Sequence, residues 1–406
     1  MAKAARLRFA IAQAAPSAVG GFYLPFFPVW LAAQGLSASE ISAAMASAML
    51  MRVVVGPAAG IVADAMGDRR AVAVFCAMMA ALGFGLMALL GPHFGLNAIL
   101  PLMLFAVPLN SATGPIVEAV TARGALDYRF DYARVRMWGS ISFIAANAAA
   151  GWVAGIVGPE SIAWFVAGLL VACAVAYLPM PRLLSDHRDV KRTWRRALAR
   201  TASEARVLLR QPVFIIFLAT VTAAQTAHAV MYAFGTLIFR SFGYSDPFIG
   251  ILWGSGVVAE VILFAMATRL VRQVDAPLLI ALGVSLGAIR WTFMSFDVGP
   301  VALLALQMLH AGSFALVHLG TMRFLNVAVP VRLAATGQSL FAVTAYGFGM
   351  GLVTFVSGQL YESVGPRAYL LMAALSLVSL VLTLFLGRNW SGRSLFAFRN
   401  RQGAVS

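Results

Sequence analysis

The sequence predicts an all-α membrane protein of twelve transmembrane helices in two pseudo-symmetric six-helix bundles. Three observations predict it. The chain is 61% hydrophobic and only 11% charged, with a mean hydropathy of +0.86. An ordinary soluble domain is about a quarter charged, and a chain this apolar has too little polar surface for water. Apolar stretches of about 20 residues, enough to cross a bilayer, recur twelve times. One long basic stretch, residues 180–211, divides them six and six.

The first span is placed at 9–33. Lys3, Arg6 and Arg8 precede it and imitate a signal peptide, but its apolar run of about 25 residues is too long for a signal core. Pro25 and Pro28 are tolerated there as kinks. Phe22, Tyr23, Phe26, Phe27 and Trp30 are expected to meet lipid or to face a cavity. The second span, 40–63, stops at Asp64. The third, 71–91, stops at Gly91-Pro92, and the fourth, 97–120, shortly before Arg123. The fifth, 137–158, ends at Gly158-Pro159, and the sixth, 161–179, at the basic stretch. The seventh, 213–239, ends at Arg240. The eighth, 247–270, runs into Arg269 and Arg272. The ninth and tenth, 277–296 and 300–322, are separated by a short gap. The eleventh, 335–360, closes before Gly365-Pro366, and the twelfth, 367–387, before Arg388.

A net charge of +15 would suggest nucleic acid in a soluble chain. Here the spans place 26 of the 30 Lys and Arg on one side. Basic loops stay cytoplasmic. Both termini are therefore expected inside, an even number of spans is required, and no nucleic-acid partner is expected. The expected setting is a bacterial inner membrane, with the lipid bilayer and a small-molecule substrate as partners and the chain as a monomer. Residues 1–182 form the first bundle, 183–210 a solvated basic linker with room for an amphipathic helix on anionic headgroups, and 211–406 the second bundle. Cys76 and Cys173 lie in spans, so no disulfide framework is expected.

The halves look like copies. Gly35-Leu36-Ser37 with Ile41 matches Gly243-Tyr244-Ser245 with Ile249, and the same offset carries Arg52 onto Glu260. Repeated halves that meet at a central site are a transporter design, in which the halves rock to expose the site alternately. The chain has no H-E-x-x-H cluster, P-loop or nucleophile elbow, so a membrane enzyme, a self-contained ATP-driven pump and a metal or cofactor site are not expected. A solute sensor is the remaining non-transport alternative, and an exporter of the same fold is the alternative direction.

Charges at mid-membrane cost a few kcal/mol and are functional candidates. Arg52 and Glu260 both lie deep in their spans, about 20 Å from either end of the helix for Arg52. Their simplest structural reading is a pair with each other. Trp253, Gly256 and Glu260 share one helical face. Glu118 and Arg136 fall near helix ends and read as interfacial on hydropathy alone. Among the histidines within spans, His228 and His310 each have a glutamine three residues before, Gln225 and Gln307. His318 has no such neighbour and reads as structural. An imidazole can load and release a proton near neutral pH, so Glu260 and His310 are read as the proton site, with the proton as coupling ion.

The loop Gly60-Ile61-Val62-Ala63-Asp64-Ala65-Met66-Gly67-Asp68-Arg69-Arg70 resembles the G-x-x-x-D-x-x-G-x-R-R signature of the major facilitator superfamily. The resemblance implies that fold and a latch on the cytoplasmic gate. Gly60 would let two helices approach closely. Asp64 would sit at a helix amino terminus, Gly67 would permit the turn, and Arg69 and Arg70 would anchor to headgroups or carboxylates. Gly114 through Ala119, followed by Tyr132 through Gly139, resembles the fourth and fifth helices of the lactose permease family. There the acid at Glu118 and the arginine at Arg136 would bind substrate hydroxyls, with Phe143 where that family stacks a tryptophan. That family's proton-binding acid is Ser313 here, and its lysine is Gln307.

The phenylpropionate permease family is the nearer resemblance. It is carried by Arg136-Met137-Trp138-Gly139-Ser140-Ile141, Trp253 through Val261, Arg290-Trp291, Leu309-His310 and His318. It implies uptake of a small organic solute, such as an aromatic acid or a saccharide, together with a proton. The expected substrate set is Arg52, Glu118, Arg136, Phe143, His228 and Arg290. Its excess of positive charge points to an anion or a hydroxylated molecule.

Overall fold

The computed structural model describes residues 2–181, 190–270 and 273–396, and these are helical, with no strand among them. In lipid, each backbone N–H and C=O must pair within its own segment. The helices are α1 (Ala2–Ala33), α2 (Ala38–Met66), α3 (Arg69–Phe94), α4 (Leu96–Asp127), α5 (Tyr132–Ile156), α6 (Ile162–Tyr177), α7 (Val190–Leu209) and α8 (Pro212–Thr226). They continue with α9 (Ala229–Ser241), α10 (Asp246–Leu270), α11 (Ala276–Met294), α12 (Pro300–Met308), α13 (Val317–Ala328), α14 (Ala334–Phe341), α15 (Met350–Val364) and α16 (Tyr369–Asn389). Ten segments of the described residues are long and apolar enough to cross a membrane, the last being Val331–Asn389. Their outer faces are apolar: Phe75, Leu82 and Leu89 of α3 and Leu377, Val381 and Leu384 of α16 are exposed.

Polar residues set the helix ends. Ser37 opens α2 with a capping box: its hydroxyl accepts the Glu40 N–H at 3.2 Å, and its own N–H donates to the Glu40 carboxylate at 2.8 Å. Asp68, Asp131 and Asp275 cap α3, α5 and α11. Gly67 ends α2 in the left-handed region at φ 67°, where a side chain would be strained.

Three spans are interrupted where hydropathy reads them as continuous. Span seven breaks between α8 and α9 at Ala227-His228. Wide π-type turns at Ala311–Leu316 and Ala342–Gly349 interrupt spans ten and eleven. Hydropathy also ends the fourth span early and starts the fifth late. α4 runs on to Asp127 and α5 begins at Tyr132, so Glu118 and Arg136 lie inside helices. The span-one aromatics meet neither lipid nor cavity. Phe26, Phe27 and Trp30 are fully buried; Phe27 and Tyr23 pack on Phe84 of α3, and Phe22 on Phe165 of α6.

Helices α1 to α6 pack on one another, as do α8 to α16. The two groups meet along the pairs α5–α10, α2–α15 and α1–α9. One end of the molecule, the basic end, carries Arg69, Arg70, Arg129, Arg134 and α7. The seams are tight at the opposite end. There Gly151 lies on the Asp246 carbonyl, and a Cβ on Gly250 would stand 2.5 Å from the Asn147 carbonyl oxygen. Gly358 of α15 lies on Ser42 of α2, whose hydroxyl donates to the Phe355 carbonyl at 3.2 Å. Ser39 donates to Glu362 on the same seam. Small residues are what allow such approach. Toward the basic end the seams part, leaving Ile61, Val62, Met66, Met137 and Trp138 exposed.

A side chain at Gly358 should therefore prise open the closed end. Overpacking costs about 1–3 kcal/mol, or roughly 5- to 150-fold in the equilibrium between states. Spin labels on α2 and α15 at that end should move apart in Gly358→Val. An unchanged distance distribution would count against a seam that opens.

Within the basic stretch, Arg182 and Arg188 lie outside the described residues. Residues 182–189 as a whole lie outside them, Val190–Leu209 form α7, and the end of α7 docks on protein. Leu208 is fully buried, and the Glu204 carboxylate accepts the Thr336 hydroxyl at 2.6 Å and Arg200 Nε at 2.7 Å. The Thr336 hydroxyl first, then Arg200, holds the Glu204 carboxyl below the ordinary carboxylate range. That contribution is full above the ordinary carboxylate pKa and is lost as pH falls through the lowered one.

Candidate functional site

A cavity of about 240 Å³ lies between the two groups of helices. Its walls are aromatic: Phe143 of α5, Tyr232 of α9, Trp253 of α10 and Phe314 of the 311–316 turn. Its polar groups are His228, Glu260, Arg290, Gln307 and His310, with Ser17 and Ser140 on the far wall. Five of the eight residues expected to bind substrate or proton thus share one space: Phe143, His228, Glu260, Arg290 and His310.

Arg290 organises the polar side. Its side chain is 2% exposed. Nη1 donates to Ser313 Oγ at 3.1 Å and contacts His310 Nδ1 at 3.2 Å, and Nη2 donates to Gln307 Oε1 at 2.5 Å. Its guanidinium lies 4.2 Å over the Trp291 ring, a cation–π contact. A guanidinium can only donate, so His310 Nδ1 must accept. A neutral imidazole then carries its hydrogen on Nε2. That nitrogen lies 3.4 Å from Glu260 Oε2, within reach of the carboxylate. The result is a chain from Arg290 through a neutral His310 to Glu260. His310 and Ser313, three residues apart at the start of the wide turn, both face Arg290.

Glu260 is therefore not paired with Arg52, the simplest structural reading of those two charges. Arg52 does not line the cavity; it faces the Tyr23 hydroxyl on α1, and its Nε is buried without a partner. The expected excess of positive charge is reduced accordingly, because Arg290 and Glu260 balance within the cavity. Glu118 and Arg136 pair with each other at 3.5 Å, half exposed beside the cavity, and Gln13 donates to Glu118 at 3.1 Å. Arg136 reaches the wall at Gly139 and Ser17.

The glutamines act otherwise than their spacing suggests. Gln307 serves Arg290 rather than His310. His228 meets the backbone carbonyl of Gln225, with Nδ1 at 3.3 Å, because the helix breaks there. The unpartnered buried groups around Arg290 include its own Nε, Gln307 Nε2, Gln225 Nε2 and Trp291 Nε1. Of these, only Arg290 and Gln307 line the cavity, each with a free donor, while His228 Nε2, also unpartnered, is left as an acceptor because Nδ1 donates to the carbonyl. Ser17, Gln13 and Phe314 were missed in the sequence. The first two carry no span-interrupting charge, and Phe314 reads as one more apolar residue.

The latch loop makes contacts within its own half. Arg69 donates to Asp64 at 2.8 Å, and Arg70 to the Leu178 carbonyl at 2.8 Å at the end of α6. Asp68, not Asp64, caps α3. A Cβ on Gly60 would meet nothing within 4 Å, so the close approach expected there is not made while the basic end stands open. Cys76 and Cys173 are free thiols.

A sequence profile described as the MFS_1 like family matches residues 16–372. A protein of Escherichia coli (strain K12), described as a probable 3-phenylpropionic acid transporter, is 26% identical over 89% of this chain and 93% of its own. A lactose permease of Klebsiella oxytoca is 24% identical over 89% of this chain and 90% of its own. In structure, the nucleoside transporter NupG superposes with a TM-score of 0.81 at 17% identity, over 95% of this chain and 99% of that one. These relatives are transporters, not enzymes, and the likeness to NupG concerns the fold.

Proposed function

The chain belongs to the MFS_1 like family, and from that premise we propose that it imports small aromatic carboxylates together with protons by alternating access. The observation that carries this reading is the Arg290–His310–Glu260 chain on the wall of an aromatic cavity.

With Glu260 ionised and His310 neutral, the empty site has no net charge. A carboxylate bound at Arg290 would leave it negative, and a proton on Glu260 alone would leave it positive. With both bound it is neutral again. A net charge at mid-membrane costs a few kcal/mol, so the neutral forms are the ones that reorient, and proton and anion travel as a pair. Each also raises the affinity for the other, since coupling between two sites is reciprocal. Arg290 and Gln307 hold the carboxylate, Phe143, Tyr232, Trp253 and Phe314 hold the ring, and His228, whose Nδ1 donates to the Gln225 carbonyl, lines the cavity beside them with Nε2 as an acceptor.

The volume supports a one-ring substrate. About 240 Å³ lies below the roughly 300–1,000 Å³ of pockets that take drug-sized ligands. A saccharide is the second reading, favoured by the Glu118–Arg136 pair with Gln13 on the hydroxyl-facing side.

The full architecture we assign is twelve spans in two pseudo-symmetric six-helix bundles, residues 1–182 and 211–406. It is supported by the 32-residue α1, by the break at Gly365 that divides the segment Val331–Asn389, and by matching turns at Gly35 and Gly243 with φ 82° and 85°. The basic end is assigned to the cytoplasm, which makes this conformation inward-facing in a bacterial inner membrane.

The test is uptake into proteoliposomes of 3-phenylpropionate and of lactose, with and without an outside-acid pulse. Uptake of 3-phenylpropionate driven by the pulse is expected. No response to the pulse would remove symport, and pulse-driven uptake of lactose alone would move the substrate to the saccharides. Outward accumulation in oriented vesicles would make the chain an exporter.

A further inference from the structure

Glu260 and His310 hold a proton beside the cavity, yet that proton must leave toward the basic end. His318 stands on that route. The rings of His310, Phe314 and His318 stack in a row, with centroids 5.2 and 6.2 Å apart and planes within 13° and 11° of parallel. Successive members are four residues apart, so the row runs along the helix from the cavity toward the basic end. Phe264, one turn beyond Glu260 on α10, closes the row with its ring edge 6.2 Å from His318.

His318 and Glu260 are near enough for their charges to act on each other. Glu260 is the charged group that faces His318. Glu260 itself is faced by His310, by Arg136 of α5 and by Tyr346 of the 342–349 turn. His318 Nδ1 is buried and has no hydrogen-bond partner. Leaving such an atom unpaired costs stability. A phenylalanine, as at 264 and 314, would fill the same place without that cost. What the imidazole adds is a nitrogen that can take a proton.

We propose that His318 is the proton acceptor that empties Glu260 toward the cytoplasm, an inference that rests on Glu260 being the proton carrier. The carboxyl O–H bond breaks and an N–H bond forms on the free imidazole nitrogen, giving carboxylate and imidazolium. The imidazolium then loses its other N–H proton to cytoplasmic water, which restores a neutral ring. The negative Glu260 left behind again balances Arg290, and the bound anion is free to leave.

Proteoliposomes carrying the full chain test this with 3-phenylpropionate. Counterflow exchanges bound substrate without emptying the proton site, whereas pulse-driven net uptake empties it each cycle. His318→Gln should lower net uptake about tenfold or more, the scale of a lost proton-transfer group, while counterflow stays within about twofold. His318→Glu, which can again take a proton, should restore part of the net rate. Equal losses in both assays, or no loss in either, would overturn the proposal. If Glu260→Gln accumulates substrate normally, the carrier reading itself has failed. If it stops accumulation while His318→Gln matches the parent, only the role of His318 has failed. A substrate-free measurement stands beside these: deuterium exchange at the His318 C2–H, read by mass spectrometry against pH. A titration between about pH 5 and 8 that moves in Glu260→Gln is expected, and a flat profile would overturn the proposal.

Discussion

Glu260→Gln should exchange substrate and fail to accumulate it. A one-unit pH gradient is worth about 1.4 kcal/mol per proton, so one proton per anion sustains about tenfold accumulation in the parent. The glutamine holds the site as though permanently protonated. Arg290 is then never balanced in the empty carrier, and the unloaded site must cross with a net positive charge. Counterflow avoids that step, because the carrier returns loaded. The expected accumulation ratio is therefore about 1 under the same gradient, with counterflow preserved. Binding should lose its pH dependence as well, because the coupled proton is gone. The measurements are steady-state accumulation, counterflow and a binding isotherm at several pH values. Accumulation near the parent level would place the proton elsewhere.

Arg290→Gln should lose anion binding. The guanidinium is the buried cation of the cavity and is spread over Ser313, His310 and Gln307. Truncating one member of a buried, hydrogen-bonded charge pair costs about 2–5 kcal/mol, or about 30-fold to several thousand-fold in affinity. Lysine should not rescue it, because one ammonium cannot reproduce a planar fork engaged on three partners. The double variant Arg290→Gln with Glu260→Gln should bind the anion better than Arg290→Gln alone, because it also removes the carboxylate that Arg290 no longer balances, and the two effects are coupled through one chain. Calorimetry with 3-phenylpropionate measures all three. Unchanged affinity in Arg290→Gln would remove the anion reading.

The two results separate roles that hydropathy cannot. Arg52, Glu260 and Arg290 all appear as charges interrupting apolar spans. Only Glu260 and Arg290 line the cavity, linked through His310. Arg52 turns instead to Tyr23, because α2 presents it toward α1 rather than toward α10. Spacing likewise placed Gln307 beside His310, where a regular helix would put it. Both instead contact Arg290 of α11. Glu118 and Arg136 read as interfacial until the true lengths of α4 and α5 carry them inside, as a pair beside the cavity.

What the sequence determined by itself is what depends on solvent and local geometry. Apolar length and the placement of Lys and Arg require membrane-crossing helices, because lipid admits no unpaired backbone and no scattered charge. Gly67 and the capping residues fix local turns by steric and hydrogen-bonding rules that need no distant partner. What only the tertiary structure decided is which polar residues face one another. A buried charge must find a partner somewhere, but the choice among partners depends on helix rotation, on breaks such as Ala227-His228 and on turns such as 311–316. Those features arise where packing outweighs the regular hydrogen-bond ladder. They made a chain of Arg290, His310 and Glu260 from three residues that the sequence could only mark as costly.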